Sequence, residues 1–398
     1  MRSTVGLPSP ESPDLHLSQP TPEECTQIWT NTAASWKDSL TIPLYIVEAQ
    51  YLTTAPLAKD GGMTTWVLVD KNLPPNQRQV FCSCESFRKR CLTSDERGNV
   101  EEGLVHGVAS VFCPSEYRGC GYGSRHLKEL AKVLHGWQSE CGKSIGSVLY
   151  SDIGKEYYAR LGWQPNPRNG HFVFPPVKIQ KPAPAQLVPE SELEALYLRD
   201  EAMVRKAMAT PSTTRKRVVI LPDLDHMLWH IRKEDFVTDY IFGKKAEAKG
   251  GIAGSPGKQV WAVWAHRYYG HPDHPDEEGK DGGNVLYILR LVVEGDDTAN
   301  KPHECQLPPA IDACVEQAAA LKAVLQAAQA EAVEWRLDHV GLWEPSPLVR
   351  SLLGQSGLDA TWAERQKRSV ASVLWFGEDG DAVDEDPAWV NNEHYAWC

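Results

Sequence analysis

The stretch YRGCGYGSRHLKELAKVL, from Tyr117 to Leu134, follows closely on the apolar run GLVHGVASVF. That run has the β-branched and apolar content of a strand. Beyond Gly123, leucines recur at three- and four-residue steps, which predicts a helix over 123–137. Three glycines therefore stand where a strand becomes a helix. Without Cβ atoms, their backbone N–H groups can converge at the positive end of the helix dipole, an arrangement that suits a pyrophosphate.

The spacing of these glycines narrows the kind of phosphate site. The segment RGCGYG, residues 118–123, fits the pattern R/Q-x-x-G-x-G/A. It lacks both the G-x-G-x-x-G spacing of a dinucleotide fold and the Gly-Lys-Ser/Thr ending of a Walker loop. The residues expected to bind the phosphates are Arg118, Gly119, Cys120, Gly121, Tyr122, Gly123 and Ser124, and the Arg125 side chain is a further candidate. The alternative is a tight turn that binds no ligand.

Size and composition indicate an ordinary globular protein of two domains. The chain has 398 residues, of which 42% are hydrophobic and 24% charged. No apolar run approaches the ~20 residues of a membrane span, and the amino terminus resembles neither a signal peptide nor a transit peptide. A formal net charge of -12 argues against nucleic-acid binding. We therefore expect a cytoplasmic protein with no membrane or nucleic-acid partner.

The cysteines and histidines do not predict a metal site. Six of the ten cysteines fall between positions 82 and 141, without the paired two-residue spacing of zinc ligands. One polar loop is predicted to carry His266, His271, Asp273, His274, Asp276, Glu277 and Glu278. Its prolines and glycines favour a mobile, solvated segment. We predict reduced, mostly buried cysteines and no metal.

The two halves of the chain show the same order of elements. The first half reads as a helix from Thr21 to Trp36, paired strands TTWVLVD and QVFCSCESF, the central strand, the helix 123–137, the strand SIGSVLY and a short helix ending at Gly162. The second half reads as a helix over 221–242, strands QVWAVWAHRYY and NVLYILRLVVE, a long helix from Pro309, and then HVGLWE, PLVRSLLGQSG and SVASVLWFG. This repetition predicts two domains of related fold.

Proline-rich segments mark the predicted boundaries. The connector PPVKIQKPAPAQLVP divides the chain into domains over 1–176 and 191–398, joined by a linker over 177–190. Residues 1–20 hold four prolines and predict an irregular arm. Between its central strand and its long helix, the second half carries EGDDTANKPHECQLPP, with nothing like RGCGYG. We therefore expect that the second domain has lost its phosphate loop.

Several motifs together resemble a known superfamily. The strand GLVHGVASVF, the loop CPSEYRGCGYG and the ending Y-x-x-L-G-W at 158–163 resemble the acetyl-CoA core of the GCN5-related N-acetyltransferases, the GNAT superfamily. Through WVLVD, CESFRKR, YSDIGKEYYARLGW, LPDLDHMLWH and NNEHYAWC, the whole sequence is similar to the fungal lysine N-acetyltransferases. The resemblance implies an α/β (α+β) GNAT fold, a mixed central sheet flanked by helices, followed by a second GNAT-like domain. It also implies acetyl-CoA as co-substrate.

The resemblance implies roles for the central strand and the short helix. In this superfamily a strand N–H faces the thioester oxygen, and that position falls on Val111, Phe112 and Cys113. A backbone donor of this kind typically contributes roughly 10²–10³ in rate. A tyrosine four residues before the closing glycine, here Tyr158, often protonates the departing thiolate. The neighbouring Tyr157 offers the same chemistry, and the alternative role of Tyr158 is a packed aromatic.

The base that accepts the amine proton has two candidates. Strand alternation places His106 on one face with Val108 and Ser110, and some relatives carry a proton-relaying histidine there. Glu85, in QVFCSCESF, is the competing carboxylate, either as base or as an attraction for the substrate ammonium. The alternatives are a structural histidine in the core and a solvated charge at a sheet edge.

Two further segments have open roles. The cluster Arg88-Lys89-Arg90 either contacts a nucleotide phosphate or, as we favour, forms a solvated loop. The carboxyl-terminal segment NNEHYAWC is expected to pack against the rest of the protein. It either brings the Cys398 carboxylate to a cation near the site or, as we favour, fills a groove between domains with aromatic side chains.

The resemblance to the fungal lysine N-acetyltransferases thus implies an enzyme of lysine degradation. It would move acetyl from acetyl-CoA to the N6 amine of free L-lysine by direct attack in a ternary complex. Free lysine calls for a closed pocket with a cation for its carboxylate, which a second domain without its own cofactor is suited to supply. The alternatives are an acetyltransferase for a protein or polyamine amine and a non-catalytic CoA-binding module.

Overall fold

A computed structural model describes residues 6–179, 185–213, 216–274, 283–296, 311–377 and 386–397, without the side chains of 311–314. The helices are α1 (Pro22–Trp36), α2 (Ile42–Leu52), α3 (Tyr122–Gly136), α4 (Glu156–Ala159), α5 (Leu193–Met208), α6 (Leu224–Phe242), α7 (Ile311–Glu334) and α8 (Pro347–Ser356). The first strands are β1 (Leu15–Ser18), β2 (Met63–Asp70), β3 (Cys82–Asp95), β4 (Val100–Phe112), β5 (Ser144–Ser151), β6 (Gln164–Pro165), β7 (Gly170–Phe174) and β8 (Gln186–Pro189). The remaining strands are β9 (Lys216–Ile220), β10 (Ala248–Ala253), β11 (Val260–Arg267), β12 (Val285–Val293), β13 (His339–Trp343), β14 (Thr361–Glu364), β15 (Val370–Trp375) and β16 (Ala388–Trp389).

The first sheet is built around the two longest strands. Its order is β1-β2-β3-β4-β5-β15-β6, with β9 on the far end of β3 and β16 beside β9. All neighbours in the main path are antiparallel except β4 and β5, which run parallel. The sheet is therefore mixed, as predicted. The prediction of a wholly irregular arm over 1–20 is wrong at Leu15–Ser18, which pairs with Val67–Asp70.

Local signals place α1 and α3 close to their predicted bounds. The α1 helix begins with a capping box, in which the Thr21 side chain accepts from the Glu24 N–H and the Glu24 carboxylate accepts from the Thr21 N–H. The buried face of α3 includes Leu127, Leu130 and Leu134, which pack on the first sheet. The regular leucine spacing therefore gave the correct helix and the correct face.

The second sheet has the order β14-β7-β13-β12-β11-β10-β8. Each half of the chain contributes strands to the sheet formed mainly by the other half. Strand β7, from the first half of the chain, lies between β13 and β14. Strand β15, from the second half, pairs with β5 and β6 of the first sheet. The predicted division at 1–176, 177–190 and 191–398 stays a prediction, but hydrogen bonding crosses it in both directions. The predicted linker also contributes β8, which pairs with β10.

The two sheets share an irregularity in their central strands. The β3–β4 register shifts between Ser83 and Glu85, and the parallel ladder from β4 to β5 ends at Val108. The β11–β12 register shifts between Val263 and Trp264, and the parallel ladder from β12 to β13 ends at Ile288. Each central strand thus carries a bulge and then continues beyond its parallel neighbour. This repetition fits the prediction of two related domains.

The core of the second half lies between its sheet and α7. The buried face of α7 includes Ala318, Leu321, Leu325, Ala328 and Ala332, as the spacing predicts. Val315, predicted on the same face, is 62% exposed, so that the packed face begins one turn later. Within the described residues, no helix combines the length and the apolar character that a membrane crossing requires.

Candidate active site

An open slot lies beside the end of the central strand. The last pair between β4 and β5 is Val108 with Leu149, while β4 continues to Phe112. Ser110 has φ 54°, a left-handed conformation that is uncommon outside glycine and that accompanies the bulge. Residues 109–112 are half-buried, unlike the preceding part of the strand. Beyond Val108 the backbone groups facing away from β3 therefore have no β5 partner.

The glycine turn lies directly beyond this slot. Gly121 is the N-cap of α3 and has φ 91°, which a residue with a Cβ atom adopts only under strain. The first N–H groups of α3, those of Tyr122, Gly123 and Ser124, have no intrahelical acceptor by helix geometry. A Cβ atom at Gly123 would lie 2.9 Å from the Tyr157 Oη. Gly121 thus permits a left-handed backbone conformation, and Gly123 permits the close approach of the Tyr157 hydroxyl group.

The amino-terminal arm supports the turn, which the sequence did not predict. Tyr122 Oη donates to the Pro8 carbonyl oxygen (2.5 Å), and Arg125 Nη1 donates to the Pro10 carbonyl oxygen (2.9 Å). A Cβ atom at Gly121 would lie 3.1 Å from Pro10 Cγ. Arg125 also pairs with Glu129 at 3.3 Å. The Arg125 side chain, considered as a phosphate contact, is therefore bound to the arm and to its own helix.

Glu85 lies at the bulge with Ser110. It is half-buried on β3 opposite Ala109, and Ser110 Oγ donates to its carboxylate at 2.8 Å. Burial raises the pKa of Glu85, while the Ser110 hydrogen bond and the positive charge of Lys233 partly oppose this rise. A carboxylate in this position can accept a proton from an amine that approaches the end of β4.

His106 lies on the opposite face of the sheet from Glu85. Arg88 is paired with His106 and Glu85 with Ala109, and positions three apart on a strand point to opposite faces. His106 is fully buried, and burial lowers its pKa to about 4, so that the ring is uncharged at neutral pH. The structure therefore does not bring the two candidate bases together. Glu85 is the one that lies beside the bulge.

Tyr157 and Tyr158 occupy different environments. Their rings meet edge to face with centroids 5.1 Å apart. Tyr158 belongs to the buried cluster with Leu127 and Trp163, and burial raises its pKa. The Tyr157 Oη lies 3.5 Å from Ser124 Oγ, at the first turn of α3. The hydroxyl beside the glycine turn is thus that of Tyr157, which the sequence offered only as an alternative.

The second half of the chain packs against the face of the sheet that carries Glu85. Lys233 Nζ on α6 pairs with the Glu48 carboxylate on α2 at 2.7 Å. Arg267, the last residue of β11, pairs with Asp38 just after α1. The Trp397 ring lies 5.6 Å from the Arg267 guanidinium carbon. Acidic side chains of the first half thus pair with cationic side chains of the second half where the two halves meet.

Two predictions about basic and histidine-rich segments are wrong. Arg88, Lys89 and Arg90 belong to β3 rather than to a loop, and fully buried Lys89 donates to the Ala396 carbonyl oxygen at 2.9 Å. His266 is buried in β11, and its Nδ1 lies 2.6 Å from Glu234. Although burial opposes the charged ring, Glu234 raises the pKa of His266 to about 9.

The structure describes the remaining residues of this predicted loop only up to His274. Residues 276–278 lie outside the described part of the chain. Among the residues that the structure describes, no three histidine, cysteine, aspartate or glutamate side chains converge as metal ligands do.

The carboxyl-terminal segment occupies the corresponding slot of the second half. Glu393 accepts from the Leu291 N–H at 2.9 Å and pairs with Arg290, which also pairs with Asp200 at 2.8 Å. Tyr395 is fully buried. The tail therefore fills space beyond the end of the β12–β13 ladder, whereas the β4 slot has no such segment among the described residues. Cys398, most of EDGDAVDEDP and most of EGDDTANKPHECQLPP lie outside the description.

Comparisons with known proteins agree with this architecture. The family model described as LYC1 GNAT-like C-terminal domain matches residues 171–398, more than half of the chain, and begins within β7. The fold is similar to that of Saccharomyces cerevisiae N-myristoyltransferase with bound myristoyl-CoA, with a TM-score of 0.50 and 7% identity over 97% of this chain and 86% of that one. A GCN5-related N-acetyltransferase from Anabaena variabilis has a TM-score of 0.48 and 11% identity over 90% and 72%. No curated protein matches by sequence. The predicted GNAT fold is confirmed.

Proposed function

This chain belongs to the LYC1-like GNAT family, and we propose that it is an acyl-CoA-dependent acyltransferase that transfers acetyl from acetyl-CoA to the N6 amine of free L-lysine. The observation that carries the proposal is the β4 slot. It leads from the glycine turn at Gly121 to the Glu85–Ser110 pair, so that a phosphate site and a proton acceptor lie at its two ends.

The coenzyme is held mainly by backbone. Its pyrophosphate binds the N–H groups of the turn 118–124, where the α3 dipole adds favourable charge. Its pantetheine arm runs beside residues 109–113, in the place that β5 leaves beyond Val108. A backbone N–H of Val111, Phe112 or Cys113 donates to the thioester oxygen as that oxygen becomes anionic.

Glu85 acts as the base. A lysine side chain has a pKa of ~10.4, so that only about one amine in a thousand is neutral near pH 7.4. Glu85 accepts the amine proton, directly or through a water molecule, and its raised pKa makes it a better acceptor than an exposed carboxylate. The neutral nitrogen attacks the carbonyl carbon, the C–S bond breaks, and a tyrosine hydroxyl protonates the leaving thiolate. His106, uncharged and buried on the other face, is assigned a structural role.

The two tyrosines are expected to respond differently to loss of their hydroxyl groups. Tyr158→Phe should lower kcat about 100-fold without changing CoA affinity, because the hydroxyl acts on the thiolate. Tyr157→Phe should instead weaken CoA binding several-fold, because its Oη lies beside Ser124 at the turn. Steady-state kinetics and CoA titration measure both effects. The reverse result would make Tyr157 the acid, and unchanged turnover in both variants would remove tyrosine from the mechanism.

Release of free CoA thiol distinguishes the proposed acceptor from the alternatives. Acetyl-CoA is supplied with free L-lysine, Nα-acetyl-lysine, a lysine-containing peptide or a polyamine. The proposal expects the fastest release with free lysine and N6-acetyl-lysine as product. Preference for the peptide or the polyamine would establish another acceptor class. Tight CoA binding with no release for any amine would identify a non-catalytic module.

A further inference from the structure

Two buried polar atoms near the contact between the halves have no hydrogen-bond partner among the described residues. Glu48 is 1% exposed at its side chain, and its second carboxylate oxygen, Oε1, is unpaired while the other binds Lys233. The Nε of Arg267 is likewise buried without an acceptor. Buried polar atoms are normally satisfied, so an unpaired one calls for an explanation, of which a bound molecule is one. One of these two groups needs a hydrogen-bond donor and the other needs an acceptor.

The two atoms belong to two ion pairs, each of which joins one half of the chain to the other. Asp38 and Glu48 come from the first half, and Lys233 and Arg267 come from the second. Their charges act on one another, since Arg267 is influenced by Asp38 and Glu48, and Lys233 by Glu48 and Arg267. Two negative and two positive groups balance. A zwitterionic head group, whose own two charges cancel, therefore binds among these side chains with less electrostatic cost than a group of net charge.

The same group of side chains lies near the proposed base. Trp229, one helical turn before Lys233 on α6, packs edge to face on Phe87 with ring centroids 4.9 Å apart, and Phe87 lies two residues from Glu85 on β3. Lys233 also acts on Glu85. A ligand bound between Glu48 and Arg267 is thus within the same cluster of side chains as Glu85.

We propose that Glu48, Lys233 and Arg267 bind the head group of an α-amino acid. Arg267 and Lys233 bind the α-carboxylate, Glu48 Oε1 accepts from the α-ammonium, and the four-carbon arm of the substrate extends toward Glu85. This inference rests on the proposed function and deepens it, since it explains how a free amino acid is selected over other amines. It also gives the second half of the chain a role, because it supplies both cations.

Four ligands that differ by one group test the proposed binding site for the amino-acid head group, called the head site below, in the native protein. Calorimetric titration into the CoA-saturated protein compares L-lysine, L-norleucine, cadaverine and 6-aminohexanoate. Norleucine keeps the head but has no side-chain amine, cadaverine lacks the carboxylate, and 6-aminohexanoate lacks the α-amine. We expect L-lysine to bind at least about 10-fold more tightly than cadaverine or 6-aminohexanoate, because each of these two ligands lacks one hydrogen-bonding charged group of the head. Norleucine should also bind.

Variants assign each contact. Arg267→Met should weaken L-lysine, L-norleucine and 6-aminohexanoate by about 10-fold or more and leave cadaverine unchanged. Glu48→Gln should weaken L-lysine and L-norleucine but leave 6-aminohexanoate unchanged. Lys258→Met, at an exposed pair with Glu316, is the matched control and should change none of them. If Glu48→Gln does not fold, the Arg267→Met series and the native series still decide.

The outcomes separate this inference from the proposed function. Binding of L-lysine and L-norleucine with the expected dependence on Arg267, but no thiol release, would refute the transfer to lysine and retain an amino-acid site. Thiol release with cadaverine as efficient as with L-lysine, or equal weakening of all four ligands by Arg267→Met, would overturn the head site. Failure of every ligand to bind would overturn it as well.

Discussion

Replacing Gly121 with valine is expected to weaken CoA binding by about 100-fold or more. The residue has φ 91°, where a β-branched side chain is strained by about 1–3 kcal/mol. Its Cβ atom would also lie 3.1 Å from Pro10 Cγ, which presses the arm away from the turn. Both effects move the N–H groups that receive the pyrophosphate, and each 1.4 kcal/mol corresponds to a tenfold change in affinity. Titration with CoA measures the loss.

A matched glycine controls for the general effect of adding a side chain to this helix. Gly136 ends α3, lies outside the left-handed region, and has no atom within 4 Å of an added Cβ. Gly136→Ala should therefore bind CoA normally. Thermal unfolding and circular dichroism establish that Gly121→Val remains folded. Native CoA affinity in a folded Gly121→Val protein would contradict the assigned phosphate site.

Replacing Glu85 with glutamine is expected to lower kcat about 10²–10⁴-fold, the usual contribution of a general base. The amide keeps the size of the side chain but cannot accept the proton, so CoA affinity should stay unchanged. In the native protein, burial raises the pKa of Glu85, so activity should fall as the pH drops through a value above its ordinary 4.5. This acidic limb should be absent from the residual activity of Glu85→Gln.

Ser110→Ala provides the complementary change. The Ser110 hydrogen bond favours the ionised carboxylate, and its removal should raise the pKa of Glu85 further. The acidic limb should then move to higher pH, while turnover at high pH is largely retained. An unshifted limb in Ser110→Ala, or native kcat in Glu85→Gln, would exclude Glu85 as the base.

The sequence predicted the parts of the fold that depend on local signals. The leucine spacing of α3, the capping box at Thr21 and the glycine turn each depend on a few neighbouring residues, and all lie where the pattern indicated. The exchange of β7 and β15 could not be predicted, because residues 170–174 and 370–375 read as strands in either sheet. The pairing of a strand depends on packing against residues far away in the sequence, and the periodicity of the strand itself does not reveal those residues.

The candidate site shows the same contrast between residues with a local sequence signal and residues that depend on long-range packing. The glycine turn and Glu85 were identified from their own neighbourhoods. Glu48, Lys233 and Arg267 carried no motif, since each is an ordinary charge on a helix or strand until the two halves meet. The alternation that grouped His106 with Ser110 assumed an uninterrupted strand, and the bulge at Ser110 breaks that alternation. A histidine or glycine near the end of a strand is only a weak sequence signal for such a bulge.

A crystal structure of the complex with CoA tests the central claim most directly. We expect pyrophosphate oxygens within hydrogen-bond distance of the N–H groups of residues 121–124. We also expect the pantetheine arm to lie beside residues 109–113 and to end near Glu85. A coenzyme bound in the second half instead, at the slot that Glu393 fills, would contradict it. So would a coenzyme whose phosphates do not touch the glycine turn.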